Sequence, residues 1–268
     1  MIRTGVTGIA GKMGSFIGLL VNEAEGMELS GALEAPGHKN IGSDAGLVIG
    51  ARSLGVAIMD DITKAFAGCD VIIDFTHPDV TMEIAAHAAK AGKGLVIGTT
   101  GLTDQQVSGL KKLSKKIPIV FSPNMSIGVN VLFKAVSLLT KLLGDAYDIE
   151  IVEAHHKLKK DAPSGTALGI ARVIAEARGV KLNDHACYER HGIIGPRPKG
   201  EIGIQTVRAG DIIGDHTVLY AGNNERIEIT HRAHTRQNFA QGAVRAARWI
   251  KDKAPGMYSM MDVLGLVE

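Results

Sequence analysis

Ile2-Arg-Thr-Gly-Val-Thr7 runs directly into Gly8-Ile-Ala-Gly11-Lys-Met-Gly14 and then into Ser15-Phe-Ile-Gly-Leu-Leu20. The first segment reads as a short strand, and Phe16, Ile17, Leu19 and Leu20 mark the apolar side of a helix. Strand, glycine turn and helix in immediate succession open a dinucleotide fold, in which glycines let the backbone approach a pyrophosphate whose charge rests on the helix N-terminus. The spacing is G-x-x-G-x-x-G rather than G-x-G-x-x-G, so the turn alone is also readable as a purely structural one. A second strand, Met27-Glu-Leu-Ser-Gly-Ala-Leu33, ends at Glu34, twenty positions past Gly14, where an acid accepts hydrogen bonds from ribose hydroxyls. Turn, strand and acid together select a nicotinamide or flavin dinucleotide site built from Gly8, Ile9, Ala10, Gly11, Lys12, Met13 and Glu34.

The βαβ rhythm continues outward from there. Val71-Ile-Ile-Asp-Phe75 is the continuous apolar run of a central parallel strand, and Pro78-Asp79 opens a helix carrying Ile84, Ala85 and Ala88 before Gly92. Leu95-Val-Ile-Gly-Thr-Thr-Gly101 is a strand entering a small-residue turn, and Thr103 with Gln106 makes a capping box for the next helix. Ile117-Pro-Ile-Val-Phe121 delivers Ser122-Pro-Asn-Met125. Such strand tips lie on the ligand side of a doubly wound sheet, so the fold class is α/β with a Rossmann-type doubly wound parallel sheet. The glycine-rich stretch from Gly37 to Gly55 reads as an extended loop without a regular element. A helix is expected from about Gly128 to Leu143. Further on, Ile202-Gly-Ile-Gln-Thr-Val-Arg208, His216-Thr-Val-Leu-Tyr220 and Arg226-Ile-Glu-Ile-Thr230 read as strands joined by short turns. They imply a second, α+β domain with an open mixed or antiparallel sheet.

Between these regions lies Glu153-Ala-His-His-Lys-Leu-Lys-Lys-Asp-Ala-Pro-Ser-Gly-Thr166, two imidazoles and three ammonium groups within fourteen residues. The preceding Tyr147-Asp-Ile-Glu-Ile-Val-Glu-Ala154 alternates like a strand ending just before the histidines, and Ile170, Val173, Ile174 and Ala177 recur at helical spacing before Gly179. A helix therefore begins near Gly165 or Thr166. Its first backbone N–H groups and its dipole favour a carboxylate or phosphate, and Lys157, Lys159 and Lys160 add positive charge around it. Either His155 or His156 can exchange protons near neutral pH. This is a site for a small acid; taken singly, each residue is equally a solvated loop position or a cap. Adjacent histidines on an extended chain point to opposite faces and no cysteine or acidic cluster accompanies them, so no metal is expected.

A chain of 268 residues suits two modest domains. A formal charge of +2 without a long basic tract gives no ground for a nucleic-acid or membrane partner. With Cys69 and Cys187 as its two cysteines, the chain is expected in a reducing cytoplasm rather than on a disulfide scaffold. The N-terminus lacks the pattern of a signal peptide, and no apolar stretch reads as long enough to span a bilayer.

The segment from Glu153 to Ala167 resembles the motif E-x-H-H-x-x-K-x-D-A-P-S-G-T-A of the dihydrodipicolinate reductase family, enzymes of the diaminopimelate route to lysine, and matches it throughout. The resemblance implies hydride transfer from NADH or NADPH to 4-hydroxy-tetrahydrodipicolinate, giving tetrahydrodipicolinate and water. It further implies His155 as a proton donor or acceptor, Lys159 as proton donor, and His156, Gly165 and Thr166 as substrate-binding residues. Gly98, Thr99 and Thr100 match the family's G-T-T cofactor loop, and Ser122, Pro123, Asn124 and Met125 its loop beside the nicotinamide. Many relatives place an arginine for the NADP 2′-phosphate after the glutamate; here Ala35 follows Glu34, leaving Lys12, His38 or Lys39 to meet a phosphate. NAD is therefore expected to serve at least as well as NADP. The resemblance also implies a homotetramer formed through the second domain's sheet, with residues 1–126 and 236–268 as the dinucleotide domain and 127–235 as the substrate and oligomerisation domain. The alternatives are another two-domain NAD(P)-dependent dehydrogenase of a small acid, disfavoured in its sugar-oxidising form by Ser122-Pro-Asn in place of Glu-Lys-Pro, or a non-catalytic NAD(H) sensor, for which the chain has no length left for an output module.

Overall fold

The computed structural model describes residues 1–267. In chain order the elements are β1 (Ile2–Thr7), α1 (Lys12–Glu23), β2 (Met27–Leu33), α2 (Ala45–Val48), β3 (Ile58–Met59), α3 (Ile62–Ala65), β4 (Val71–Asp74), α4 (Pro78–Ala91), β5 (Gly94–Ile97), α5 (Asp104–Leu113) and β6 (Pro118–Phe121). They continue with α6 (Ile127–Leu143), β7 (Asp148–His155), α7 (Gly165–Arg178), α8 (Leu182–His185), β8 (Ala186–Cys187), β9 (Ile202–Arg208), β10 (Gly214–Ala221), β11 (Arg226–Ala233), α9 (Gln237–Ile250), β12 (Gly256–Tyr258) and α10 (Met260–Leu264). Two compact units result, one of Met1–Ile127 with Gln237 onward and one of Gly128–Arg236.

The first unit holds a seven-stranded sheet in the order β12-β6-β5-β4-β1-β2-β3, with every pairing parallel. The order reverses direction between β1 and β4, the topological switch point at which doubly wound sheets bind ligands beyond their strand ends. Both faces are covered, which is why β4 and β5 are apolar at successive positions rather than at alternate ones. Ile73 and Val96 face the core shared with Ile17 and Val21 of α1 and with Ala243, Ala247 and Ile250 of α9. Ile72, Leu95 and Ile97 face the opposite core with Ile84 and Ala88 of α4 and Leu110 of α5. The small residues Ala240, Gly242, Ala243, Ala246 and Ala247 let α9 lie close, and a Cβ at Gly242 would collide with the Met125 carbonyl oxygen. The capping box expected at Thr103 and Gln106 is formed at the start of α5.

One sequence expectation fails in this unit. The Gly37 to Gly55 stretch is not a plain loop, because it contains α2. Asp44 caps that helix through Leu47 N–H and also accepts from Leu54 N–H, Gly55 N–H and Ser53 Oγ. Burial opposes the charge on Asp44, but these donors outweigh it and hold its carboxyl down at about 2.

The second unit holds a five-stranded mixed sheet in the order β11-β10-β7-β9-β8. β10 runs antiparallel to β7 and β11, while β9 runs parallel to β7 and β8. One face packs Ile149, Ile151, Ile202, Ile204, Val218 and Tyr220 against Leu132 and Val136 of α6 and Ile170, Ala171 and Ile174 of α7. Tyr220 is buried there with its hydroxyl donating to Val136 O at 3.0 Å and lying 2.9 Å from Thr140 Oγ1. The strand before the histidines runs one residue further than expected, so His155 is its last residue and faces inward.

The expectation that no stretch could span a bilayer is also corrected. Residues Ile127–Ala146 have the length and mean hydropathy to do so. Leu132 and Val136 on this helix nevertheless pack into the core of the second unit, and Lys134 and Lys141 interrupt its outer side, as in an amphipathic helix lying on a sheet.

Ile73 lies in the middle of the parallel sheet at 0% exposure. Ile73→Ala is expected to lower the unfolding free energy by about 2–5 kcal/mol, read from urea unfolding. A loss under about 1 kcal/mol would mean that the core on this face relaxes around the missing side chain.

Candidate active site

The glycine turn after β1 is shaped by close contacts. Gly8 has φ of +57°, a conformation that favours glycine, and its carbonyl oxygen accepts from Gly11 N–H at 2.9 Å. A Cβ on Gly14 would collide with that same carbonyl and with Ile9 Cα, so the third glycine lets α1 approach the turn. Gly11 caps α1 without any side-chain hydrogen bond, which leaves the helix start to a ligand's anionic group. Glu34 reaches the turn from the end of β2, accepting from Ala10 N–H at 2.7 Å and from Ala35 N–H at 3.3 Å. Ile9 is fully buried in the core, so only its backbone belongs to the turn's surface, and Met13 packs against the same core. Lys12, Ala35 and Lys39 are exposed.

The neighbouring strand ends are tied together by Asp74, which is buried at the tip of β4. Its Oδ1 accepts from Thr7 Oγ1 and Thr76 Oγ1, both at 2.7 Å, and its Oδ2 from Thr81 Oγ1 at 2.5 Å and Thr99 Oγ1 at 3.0 Å. Thr99 Oγ1 also accepts from Thr76 N–H at 2.9 Å. The carboxylate thus fixes the ends of β1, β4 and β5, and Gly98 passes so close to the Phe75 ring that no Cβ fits. Thr100 is exposed beyond them. In the loop after β6, Ser122 Oγ donates to Asn124 O and Asn124 Oδ1 accepts from Ser126 N–H, both at 2.9 Å. Pro123 is exposed, while the Met125 side chain is core. A pyridine nucleotide fits this set: a left-handed glycine turn, an uncapped helix start and an acid at the end of β2 lie together.

In the second unit, β7 ends at His155 and the chain turns at once. Ala209 N–H donates to His155 O at 2.9 Å, Lys157 N–H to Gly210 O at 3.2 Å, and Lys159 N–H to His156 O at 3.1 Å. His156, the next residue, is half-buried, and its Nδ1 is shielded with no hydrogen-bond partner among the described residues. Lys157 and Lys160 are exposed, whereas the Lys159 ammonium lies 2.9 Å from Asp161 Oδ1. That lysine is the leading cause that holds the Asp161 carboxyl below its ordinary value. Ser164 caps α7, its Oγ accepting from Ala167 N–H at 3.1 Å. Gly165 is exposed, and a Cβ there would meet open space, so the helix start is accessible to an anion. Thr166 follows in the first turn.

Behind this loop is a polar cluster that the sequence reading did not single out. Glu153 is fully buried; its Oε2 lies 2.5 Å from His155 Nδ1 and its Oε1 accepts from Ser164 N–H at 2.9 Å. Arg208 grips the same carboxylate with both terminal nitrogens, at 2.8 and 2.9 Å. Burial works against the charge on Glu153, but His155, Arg208 and the Ser164 amide prevail and bring its carboxyl down to about 2. His216 sits 3.0 Å from Ser164 Oγ, and its ring meets that of His155 edge-on with centroids 5.2 Å apart. Burial first, and then His155, push the His216 imidazole down to about 3, so it is neutral near pH 7. Glu153 shares the parity of Ile149 and Ile151 on β7, and a charged residue at an apolar-face position was the one available sequence signal.

Both shifts make the fold acid-sensitive. His216 is depressed from 6.5, so between pH 6.5 and about 3 the unfolded chain binds a proton that the folded chain does not. Glu153 is depressed from 4.5, so its stabilisation is present above 4.5 and is lost as pH falls toward about 2. The melting temperature is therefore expected to fall from pH 6.5 downward. In His216→Gln the fall between pH 6.5 and 4.5 should be shallower, the part that is left coming from His87 and His231, which burial also holds below 6.5; an unchanged pH profile would contradict the assignment to His216.

Comparison with known proteins identifies the family. The family model described as "Dihydrodipicolinate reductase, N-terminus" matches residues 2–125, and the one described as "Dihydrodipicolinate reductase, C-terminus" matches residues 128–264. The chain is 52% identical over 266 residues to the 4-hydroxy-tetrahydrodipicolinate reductase of Anaeromyxobacter dehalogenans (strain 2CP-C), covering 99% of this chain and 98% of that one. It is 53% identical to the reductase of the same name from Geobacter sulfurreducens, covering 99% of this chain and all of the relative. Among solved structures, the dipicolinate-bound dihydrodipicolinate reductase from Paenisporosarcina sp. TG-14 superposes with a TM-score of 0.77 at 28% identity, covering 98% of each chain. An amine dehydrogenase from Mycobacterium smegmatis, at 14% identity and a TM-score of 0.63, shares the fold. With two family models together spanning nearly the whole sequence and half of all positions identical to full-length relatives, the chain belongs to the dihydrodipicolinate reductase family.

Proposed function

We propose that the open start of α7 and the end of β7 bind a dicarboxylate substrate, with His155 and Lys159 handling its protons, while the glycine turn and strand-end loops hold the nucleotide. The activity itself is that of the family: NAD(P)H-dependent reduction of 4-hydroxy-tetrahydrodipicolinate to tetrahydrodipicolinate with release of water, in diaminopimelate and lysine biosynthesis. The observation that carries the site assignment is the conjunction, in the loop after β7 and the helix that follows it, of an accessible helix N-terminus, the half-buried His156 imidazole and the Lys159 ammonium. The bound ligand in the Paenisporosarcina relative is dipicolinate, whose two carboxylates suit such a site.

When bound, the reduced nicotinamide supplies the hydride. The residues of the chain divide the rest. Backbone N–H groups at Gly165 and Thr166 take one carboxylate, helped by the helix dipole. His156 hydrogen-bonds the ligand through its imidazole. Lys159 delivers a proton from its ammonium to the electron density that hydride addition leaves on the ring, and His155 exchanges a proton at the ring nitrogen turned away from Glu153. On the nucleotide side, Gly8 to Met13 cradle the pyrophosphate, Glu34 receives ribose hydroxyls, and the loops at Gly98–Thr100 and Ser122–Met125 border the nicotinamide.

Several further features of the assembly follow from the same reading. NADH serves at least as well as NADPH, because Glu34 presents a carboxylate and Ala35 no cation where a 2′-phosphate would lie. The sheet face bearing Val152, Val207 and Leu219, with Val207 at 43% exposure, is read as the self-association surface of a cytoplasmic homotetramer.

Lys159→Ala is expected to lower kcat by about 100-fold or more while leaving nucleotide affinity near that of the parent. Collapse of nucleotide affinity with turnover preserved at saturation would overturn the role of Lys159. His156→Ala should raise the substrate KM with a smaller effect on kcat, and an unchanged KM would contradict it. Ala35→Arg is expected to move the ratio of kcat/KM values toward NADPH by about 10-fold or more, the yield of a charge-assisted hydrogen bond of roughly 1.5–3 kcal/mol. An unchanged ratio would remove Ala35 as the determinant.

A further inference from the structure

We propose that Glu153 is a positioning residue for the reduction, locking the His155 imidazole in one tautomer and one orientation, with Arg208 as the counter-ion that keeps the carboxylate aligned. The inference rests on the reading of His155 as a proton-transfer group and adds what makes that group competent. An ionised carboxylate only accepts, so the 2.5 Å contact to Glu153 Oε2 requires the hydrogen of His155 on Nδ1. The other ring nitrogen, Nε2, is thereby left as the site of proton exchange.

The ring is confined on its remaining sides. A Cβ on Gly214 would come within 3.0 Å of His155 Nε2, so the glycine makes room for this edge of the imidazole. The His216 ring closes another side, edge-on at 74°. Glu153 is itself immobile: besides His155 it receives Ser164 N–H, both Arg208 terminal nitrogens, and Thr206 Oγ1 at 3.3 Å. Arg208 is in turn fixed by donating to Asp161 O at 2.6 Å and Val207 O at 2.8 Å.

The groups around the dyad are Arg208 from β9, His216 from β10, and the Lys159 and Asp161 pair from the loop. Arg208 pairs with Glu153 and Asp161 with Lys159. What the geometry assigns to Glu153 is the fixing of tautomer and direction. A carboxylate that orients a catalytic imidazole through Nδ1 is a recurrent device, and loss of the correct tautomer removes orders of magnitude in rate. A buried ion pair also adds little net stability over an apolar substitute, so stability alone gives weak reason for one at this spot.

The test uses the full chain with Glu153→Gln and His155→Ala in parallel, reading kcat, KM for NADH, and the His155 tautomer from side-chain nitrogen NMR. A glutamine either turns its NH2 to Nδ1, reversing the tautomer, or turns it against Arg208 and Ser164 N–H. The expected result for Glu153→Gln is loss of the Nδ1–H form and a fall in kcat of about 100-fold, with KM for NADH changed by less than about 2-fold. If His155→Ala is inactive while Glu153→Gln keeps its kcat, or loses kcat with the tautomer intact, the positioning role is overturned. If His155→Ala itself keeps its kcat, the reading of His155 fails instead. Should Glu153→Gln not fold, Gly214→Ala presses on Nε2 without touching the ion pair. A fall in kcat of about 10-fold or more then supports the proposal, and an unchanged kcat overturns it.

Discussion

The buried carboxylate of Glu153 is the contact that holds the second unit's polar cluster together. It ties its own strand to the start of α7 and to the distant β9, taking hydrogen bonds from His155, Ser164 and Arg208. Removing one partner of such a buried pair leaves the other charge uncompensated, at about 3–5 kcal/mol. The same carboxylate therefore ties the loop after β7 to the entry into α7 and meets His155 at Nδ1. Asp74 does the corresponding work in the first unit, where four threonine hydroxyls converge on it and fix the strand ends around the glycine turn. In both units a buried acid holds the loops to which the proposed function assigns ligand contacts.

Much of this was legible in the sequence, and the reason is local. The parallel sheet follows from successive apolar residues bounded by turn residues, as at Val71-Ile-Ile-Asp74, because strands buried on both faces need no polar alternation. Gly14 could be read because the close approach of α1 to the turn leaves no room for any side chain. The start of α7 was readable from Pro163, Ser164 and Gly165 ahead of a helical apolar pattern, and Ser164 is its cap. The family motif supplied the roles proposed for His155, His156 and Lys159, which periodicity alone left open.

What escaped was long-range. The cluster of Glu153, Arg208 and His216 depends on strand register, with His155 opposite Arg208 and Glu153 opposite His216, and no window of sequence carries that information. The helix α2 was hidden by the glycines around it, since a four-residue helix has too few positions to show a period; Asp44, with its several amide donors, specifies it instead. Ile9 and Met125 lie within the proposed cofactor segments, yet their side chains belong to the hydrophobic core, so a motif names positions without saying which atoms face the ligand. The apolar face of α6 was underestimated because Lys134 and Lys141 break its run, although the stretch as a whole is apolar enough to cross a bilayer.

The central claim is that a substrate carboxylate rests on the first turn of α7, in reach of Lys159 and His156. A crystal structure of the protein with NADH and dipicolinate tests it most directly. The account predicts one dipicolinate carboxylate on the backbone N–H groups of Gly165 and Thr166, the His156 imidazole within hydrogen-bond distance of the ligand, and His155 still held by Glu153. Dipicolinate bound elsewhere, with only water at the start of α7, would contradict it.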